Sequence, residues 1–266
     1  MKFKGNNKGL NVYEKNEIWK ICAYFIIYSV LGFIIETTFA FIAYHVIESR
    51  QSFLYGPFCS IYGVGAIIMI VVLRRFENSN IKLLLGGILL GAFVEYSISF
   101  LGEKILGMRF WDYSNSFLNI NGRICILYSV FWGIAAFVLI KFLNPKIDKV
   151  IDNICNTEQK TSIIKNTICI ILIFMILDGV ITYVFVNYFI VYSAEKYNLE
   201  LSNEKQIGKF YHFVQKKPIL KEKLEKYITA ERMILVFPNL STILKDGTQF
   251  KLQNLTPEVR NCYYRF

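Results

Sequence analysis

Long apolar stretches alternate with short polar stretches along the chain. Each long stretch is close to the roughly 20 apolar residues that a helix needs to cross a bilayer. The five stretches cover residues 19–47, 57–73, 83–102, 124–143 and 163–192. The first is too long for the core of a cleaved signal peptide, so we expect it to remain as a helix. The pattern therefore predicts an all-α polytopic membrane protein with about five transmembrane helices.

The polar stretches divide the chain into five parts. Asn144-Pro145 is predicted to end the fourth helix, and the charged residues after it form a linker. In the tail, the sequence predicts an amphipathic helix after Pro218 and a strand pair, 236–240 with 245–252, around an Asp-Gly turn. The predicted parts are a polar N-terminal segment (1–18), a four-helix membrane core (19–143), a linker (144–162), a fifth transmembrane helix (163–192) and a small α/β extramembrane tail (193–266).

The membrane core contains an internal repeat. Residues 31–41 align with residues 90–100, and the complete units are residues 31–73 and 90–139. Each unit is predicted to be a helix, a loop and a second helix, so both units begin on the same side of the membrane. This arrangement is a parallel repeat, related by an axis along the membrane normal, as in some transporters.

Each unit carries one acid inside its first apolar stretch, Glu36 in one and Glu95 in the other. A charged group at membrane depth costs about 2.5–3.5 kcal/mol on insertion scales and is a functional candidate by default. Two interpretations remain open: a structural buried carboxyl, or a contact for a proton, a cation or a substrate. Asp178, in the fifth stretch, is equally compatible with helix packing and with membership of the site.

The loop at residues 103–123 combines charged and aromatic side chains. Its candidate residues are Glu103, Trp111, Asp112, Tyr113 and Arg123. Trp and Tyr at a membrane boundary are commonly interfacial anchors. The planar fork of Arg123 suits a carboxylate or a phosphate. We therefore keep two alternatives for Arg123, an internal ion pair with Glu36 or Glu95 and the anchoring of a ligand.

The second helix of each unit is preceded by matching residues. Cys59 and Tyr62 align with Cys125 and Tyr128. The pair Gly56-Pro57 predicts a turn with Pro57 at the first helical position. Cys59 and Cys125 are either buried thiols or, on an oxidising face, a disulfide across the repeat axis.

Composition and charge agree with a membrane protein. Hydrophobic residues make up 54% of the chain and charged residues only 19%, and the net charge is +10. A soluble domain has about 25% charged residues. The basic residues flank the apolar stretches, which favours a lipid surface over nucleic acid as partner. We predict no cofactor and no metal site, because the spacing of Cys and His matches no metal motif.

The distribution of basic residues predicts a multi-pass protein of the cell membrane with a cytoplasmic N-terminus. Loops 48–56 and 103–123 and the tail are predicted to share one face of the membrane, whichever face that is.

Several motifs together resemble the bacterial ABC-transporter type IV family, the CmpB-like permeases. They are Gly32-Phe-x-x-Glu36, the stretch 53–63, Trp111-Asp-Tyr113, Asn121-Gly-Arg-Ile-Cys125, and Glu231-Arg-Met233 with Phe237-Pro-Asn239 in the tail. The resemblance implies a multi-pass permease-like protein. Because the chain has no GxxxxGK[ST] motif, ATP hydrolysis would require a separate ATPase subunit. A homo-oligomer is also compatible with the sequence.

Three functions fit these observations. The first is a transport component with a polar intramembrane site built from the paired glutamates. The second is a membrane-embedded enzyme acting on a lipid-linked substrate, although no recognised catalytic set is present. The third is a non-catalytic assembly or binding protein in which the buried acids are structural.

Overall fold

Helices dominate the structure, a computed structural model that describes residues 18–45 and 49–255. The predicted N-terminal polar segment lies outside these residues, except for Ile18, as do residues 256–266 of the tail. In the described part, four helical stretches are long and apolar enough to cross a membrane. They cover Ile18–Ala43, Asn80–Ile105, Ile126–Ile154 and Glu158–Lys196. The prediction of an all-α polytopic membrane protein is confirmed.

Two helical hairpins form the membrane core. Helix α1 (Ile18–Tyr44) packs on α2 (Ser60–Leu73), and α3 (Asn80–Leu101) packs on α4 (Ile126–Val138). Each pair corresponds to one unit of the sequence repeat. Helix α2 has 14 residues, which reach only about 21 Å at 1.5 Å per residue. A bilayer core is about 30 Å thick, so a count of five spans stays a prediction.

The helical structure of the fourth apolar stretch continues past Asn144-Pro145, where the sequence predicts its end. A π-helical turn (Leu139–Leu143) connects α4 directly to α5 (Asn144–Ile154). Pro145 lies in the first turn of α5, a position where its missing N–H and fixed φ are tolerated. The side chain of Asn144 accepts a 2.9 Å hydrogen bond from the Tyr28 hydroxyl. Part of the predicted linker is therefore a helix bound to α1.

Helix α6 (Glu158–Lys196) extends the predicted fifth segment at both ends. Its last turns form a hydrophobic core with the tail, to which Tyr188, Ile190 and Val191 contribute fully buried side chains. The predicted helix after Pro218 is present as α9. The tail helices are α7 (Glu204–Ile207), α8 (Lys209–Gln215), α9 (Pro218–Tyr227) and α10 (Ala230–Val236).

Short strands join the loop after α3 to the tail. Strand β1 (Met108–Arg109) pairs antiparallel with β4 (Ser241–Ile243), which pairs with β5 (Gln249–Lys251). The first tail strand lies later than predicted, because residues up to Val236 belong to α10. The predicted Asp-Gly turn connects β4 and β5, with Gly247 at φ 83°. The β1–β4 pairing agrees with the prediction that this loop and the tail share one face.

The same loop contains a second hairpin, which the sequence analysis missed. Strands β2 (Asn119–Ile120) and β3 (Ile124–Cys125) pair around Asn121 and Gly122, which have φ values of 54° and 66°. Asn-Gly is the pair most typical of tight hairpins because both residues tolerate positive φ. The hairpin carries the chain directly into α4.

Candidate functional site

Glu36 is held by the second helix of its own unit. The hydroxyl of Tyr62, in the first turn of α2, donates a 2.6 Å hydrogen bond to Oε1 of Glu36. Gly32 lies one turn before Glu36, and a Cβ at this position would overlap the Tyr62 side chain. The glycine therefore allows the ring of Tyr62 to lie against α1.

Glu95 is more deeply buried and has a different donor. Glu95 is only 4% exposed, and its Oε1 accepts a 2.8 Å hydrogen bond from the hydroxyl of Tyr113. The indole of Trp132 approaches the same carboxyl group. Oε2 nevertheless has no hydrogen-bond partner of good geometry among the described residues. An unpaired carboxyl oxygen at this depth is costly.

The two glutamates lie close enough to influence the same groups. Burial raises the pKa of the Tyr113 hydroxyl, and the nearby carboxyls of Glu95 and Glu36 raise it further. The ring of Tyr62 lies 5.4 Å from the ring of Trp132, centroid to centroid. The structure therefore brings the acids of both units to a common region.

The second unit departs from the symmetry of the repeat. Tyr128, the equivalent of Tyr62, stacks on Tyr113 with ring centroids 4.7 Å apart and planes 20° apart. The hydrogen bond to Glu95 is donated by the hydroxyl of Tyr113 instead. Gly91, the equivalent of Gly32, faces Trp132 rather than a tyrosine. One acid is thus held from a helix and the other from a loop.

Arg123 does not pair with either intramembrane glutamate, so that alternative is wrong. Its Nη2 donates a 2.8 Å bond to Oε2 of Glu103, and Nη1 donates a 3.3 Å bond to the Ser99 hydroxyl. Oε2 of Glu103 also accepts a 2.6 Å bond from Nε of Arg109. Glu103 lies in a π-helical turn (Gly102–Leu106) that continues α3. The spacing of Ser99 and Glu103 places both on the side of the helix that Arg123 reaches.

Trp111 and Asp112 stabilise the loop itself. The indole Nε1 of Trp111 donates a 2.8 Å bond to the backbone oxygen of Arg123. Asp112 is exposed, and its Oδ1 accepts bonds from the backbone N and the hydroxyl of Ser114, at 3.0 and 2.6 Å. This local turn accounts for the presence of Asp112 between two aromatic residues, and no ligand is needed to explain it.

Asp178 anchors the loop between α1 and α2. It is 2% exposed, and its carboxyl accepts bonds from the backbone N–H of Tyr55 at 3.0 and 3.2 Å. The Thr182 hydroxyl donates a 3.2 Å bond to Oδ1 and accepts one of 2.7 Å from the backbone N of Leu54. Among the described contacts, Asp178 therefore belongs to this loop rather than to the glutamate pair.

The residues before α2 form a longer turn than predicted. The helix begins at Ser60, with Cys59 as its N-cap residue, so Pro57 is not at the first helical position. Gly56 has a φ of 78°, which favours glycine. The backbone N of Ser52 bonds to the oxygen of Phe58 at 2.7 Å and closes the loop.

Cys59 and Cys125 are both buried free thiols. They are the N-cap residues of α2 and α4, which agrees with their alignment in the repeat. The described residues contain no group of three or more His, Cys, Asp or Glu that could hold a metal ion.

Two contributors to the site were not predicted, Trp132 beside Glu95 and Ser99 beside Arg123. Trp132 follows Tyr128 by four residues, so the helical period places it on the same face. This spacing was available from the sequence. Ser99 could be recognised only once the partner of Arg123 was known.

A family model described as Putative ABC-transporter type IV matches residues 23–183, more than half of the 266-residue chain. The chain therefore belongs to this family, and the resemblance noted in its motifs is confirmed. Comparison with curated proteins and with solved structures finds no match. The family and the apolar helices identify a membrane protein related to transport.

Proposed function

Because the chain belongs to the ABC-transporter type IV family, we propose that it is a transport component whose polar intramembrane site is formed by Glu36 and Glu95. One observation carries this proposal. Each unit of the repeat contributes one acid, and each acid accepts a hydrogen bond from a tyrosine. The ring of Tyr62, which bonds Glu36, lies 5.4 Å from the ring of Trp132, whose indole approaches Glu95.

The chemistry of the pair favours a positively charged occupant. The main neighbours of Glu95 are Tyr113, Trp132 and Glu36, which are uncharged or acidic. Two carboxyl groups near each other repel when both are charged, so a proton or a metal cation between them is favourable. Oε2 of Glu95, which has no partner of good geometry among the described residues, offers it an acceptor. Acids in such positions are typical of ion and proton pathways in membranes.

We place the chain in the cell membrane with its N-terminus in the cytoplasm and loop 103–123 on the opposite face. A separate ATPase subunit would then bind on the cytoplasmic side, where the basic hairpin at residues 74–82 and helix α5 lie. Labelling Asn78→Cys and Asn115→Cys variants in intact cells with a charged maleimide tests this orientation. Only the Asn115→Cys variant should react more than the parent chain. If only the Asn78→Cys variant reacts more, the topology is opposite to the one proposed.

The transport proposal is tested in vesicles that contain the purified full chain. Uptake of H⁺, Na⁺ and K⁺ is followed with entrapped dyes while a membrane potential is applied. We expect flux of at least one ion with the wild type, and a loss of at least about tenfold with Glu36→Gln and Glu95→Gln, each of which removes one acceptor charge. Glu77→Gln is the matched control, because Glu77 is exposed in the 74–82 hairpin.

Folding is measured on the same samples. If Glu36→Gln and Glu95→Gln lower the thermal midpoint but leave flux unchanged, the acids are structural and an assembly role is favoured. Purification in mild detergent supplies a second test, since a co-purifying ATPase subunit supports the transport assignment. Absence of both ion flux and such a subunit would contradict it.

A further inference from the structure

A cluster of three charged side chains lies apart from the glutamate pair. Arg109, on β1, and Arg123, beside α4, both donate to the same oxygen, Oε2 of Glu103, at 2.6 and 2.8 Å. All three side chains are largely buried, with exposures of 18% for Arg109, 7% for Arg123 and 21% for Glu103. Two guanidinium groups therefore share one carboxylate.

Among the described residues the cluster has a net charge of +1, because two guanidinium groups share one carboxylate. Asp112, the other acid of the 103–123 loop, is exposed and bonded to Ser114. The carboxyl of Glu95 is held by Tyr113. A partly buried charge without a counter-ion is unfavourable. An anion from outside the chain would complete the balance.

Both guanidinium groups have donors without a described partner, and those of Arg109, the more exposed of the two, can reach an anion at the surface. Nε of Arg123 is buried and has no hydrogen-bond partner among the described residues. The described contacts of the Arg109 guanidinium involve Nε alone, so its terminal amino groups are available. Guanidinium groups bind phosphate oxygens through paired, charge-assisted hydrogen bonds.

The surroundings favour a ligand that approaches from the bilayer surface. Lys104 is exposed beside the cluster. The same loop exposes large apolar side chains: Phe110 (39%), Ile120 (55%), Leu118 (64%) and Phe117 (79%). Apolar side chains next to basic ones are typical of segments at the interface with anionic lipid.

We propose that Arg109 and Arg123 form a binding site for the phosphate group of an anionic ligand, presented by a lipid headgroup or by a solute. Glu103 is the positioning residue, because it holds both guanidinium groups at one point and leaves a net positive charge. The site is separate from the glutamate pair and does not depend on the proposed transport function.

The test measures thermal unfolding of the full chain in a neutral detergent. Dioleoylphosphatidylglycerol, dioleoylphosphatidylcholine and inorganic phosphate are each added in separate titrations. A ligand that binds only the folded state raises the midpoint, by roughly 5 °C at 100-fold excess over its dissociation constant. We expect this rise with phosphatidylglycerol and not with phosphatidylcholine. A rise with inorganic phosphate supports the same site and assigns the ligand to solutes.

Arg109→Gln is the decisive variant, because it leaves the Arg123–Glu103 pair intact and makes the cluster neutral. We expect it to fold and to lose the ligand-dependent rise. Lys104→Gln is the matched control, since it removes a neighbouring exposed charge that does not bond to Glu103. It should keep the rise. Glu103→Gln should lower the midpoint without ligand and increase the rise with it.

Three results would overturn the proposal. The first is no rise with any anionic ligand in the wild type. The second is an equal rise with phosphatidylcholine. The third is an unchanged rise in Arg109→Gln, which would place the ligand elsewhere on the chain.

Discussion

Replacing Gly87 by Ala should separate the two helices of the second repeat unit. A Cβ at Gly87 would lie 2.5 Å from the Ala136 Cβ, 2.9 Å from the Gly133 Cα and 3.1 Å from the Trp132 backbone oxygen. Two of these three atoms belong to the backbone of α4 and cannot rotate away. Small residues at a crossing of this kind let membrane helices approach closely.

The size of the effect follows from the distances. Carbon atoms pack best at about 3.5–4.0 Å, so α4 must move away from α3 by about 1 Å. A gap of that size loses a quarter to a half of the dispersion energy of each contact. Overpacking costs about 1–3 kcal/mol, and because all three contacts are 3.1 Å or shorter we take the upper part of that range, about 2–3 kcal/mol. The better helix propensity of Ala returns about 1 kcal/mol. We expect a net loss of about 1–2 kcal/mol in the free energy of unfolding.

Gly179→Ala supplies the matched control. A Cβ at Gly179 would meet only Phe53, at 3.4 and 3.8 Å, which is ordinary contact. The gain from the higher helix propensity of Ala then remains, and the free energy of unfolding of this variant should equal or slightly exceed that of the wild type. The assay is reversible unfolding in mixed detergent micelles, followed by circular dichroism. The reasoning would be refuted if Gly87→Ala were as stable as the wild type, or if Gly179→Ala lost as much as Gly87→Ala.

Four further substitutions, at three positions, probe other contacts by the same unfolding assay or by hydrogen exchange. Tyr113→Phe keeps the aromatic ring but removes the bond to Glu95, and should cost about 1–2 kcal/mol; no loss would mean that this bond is not formed. Asp178→Ala leaves the backbone N–H of Tyr55 without its acceptor and should cost about 3 kcal/mol, whereas Asp178→Asn should cost less. Thr229→Ala removes the N-cap bond of α10 and should cost about 1 kcal/mol, seen as faster amide exchange in that helix alone.

The membrane helices could be predicted from the sequence because their signal is local. Runs of about 20 apolar residues mark α1, α3, α4 and α6 without reference to any other part of the chain. Helix ends were less well predicted, and Pro145 shows the reason. A proline is compatible both with the end of one helix and with the first turn of the next.

The partners of the loop residues could not be predicted for a different reason. Which of Glu36, Glu95 and Glu103 pairs with Arg123 depends on their positions in the folded chain. Their separation along the sequence does not identify the partner. The pairing of Met108 with Thr242 joins residues 134 positions apart through strands of two and three residues. Strands this short carry almost no sequence pattern, since alternation needs about four residues to be recognised.

The departure of the structure from repeat symmetry changes what the two glutamates can do. Tyr62 reaches Glu36 from helix α2, so this contact depends on the packing of two helices. Tyr113 reaches Glu95 from a loop, and its backbone N bonds to Gly122 in the β2–β3 hairpin. The same loop contains β1, which pairs with the tail. The hydrogen bond of Glu95 is therefore linked to the tail through a loop, whereas that of Glu36 is formed between two helices, and the two acids are inequivalent although the repeat places them at matching positions.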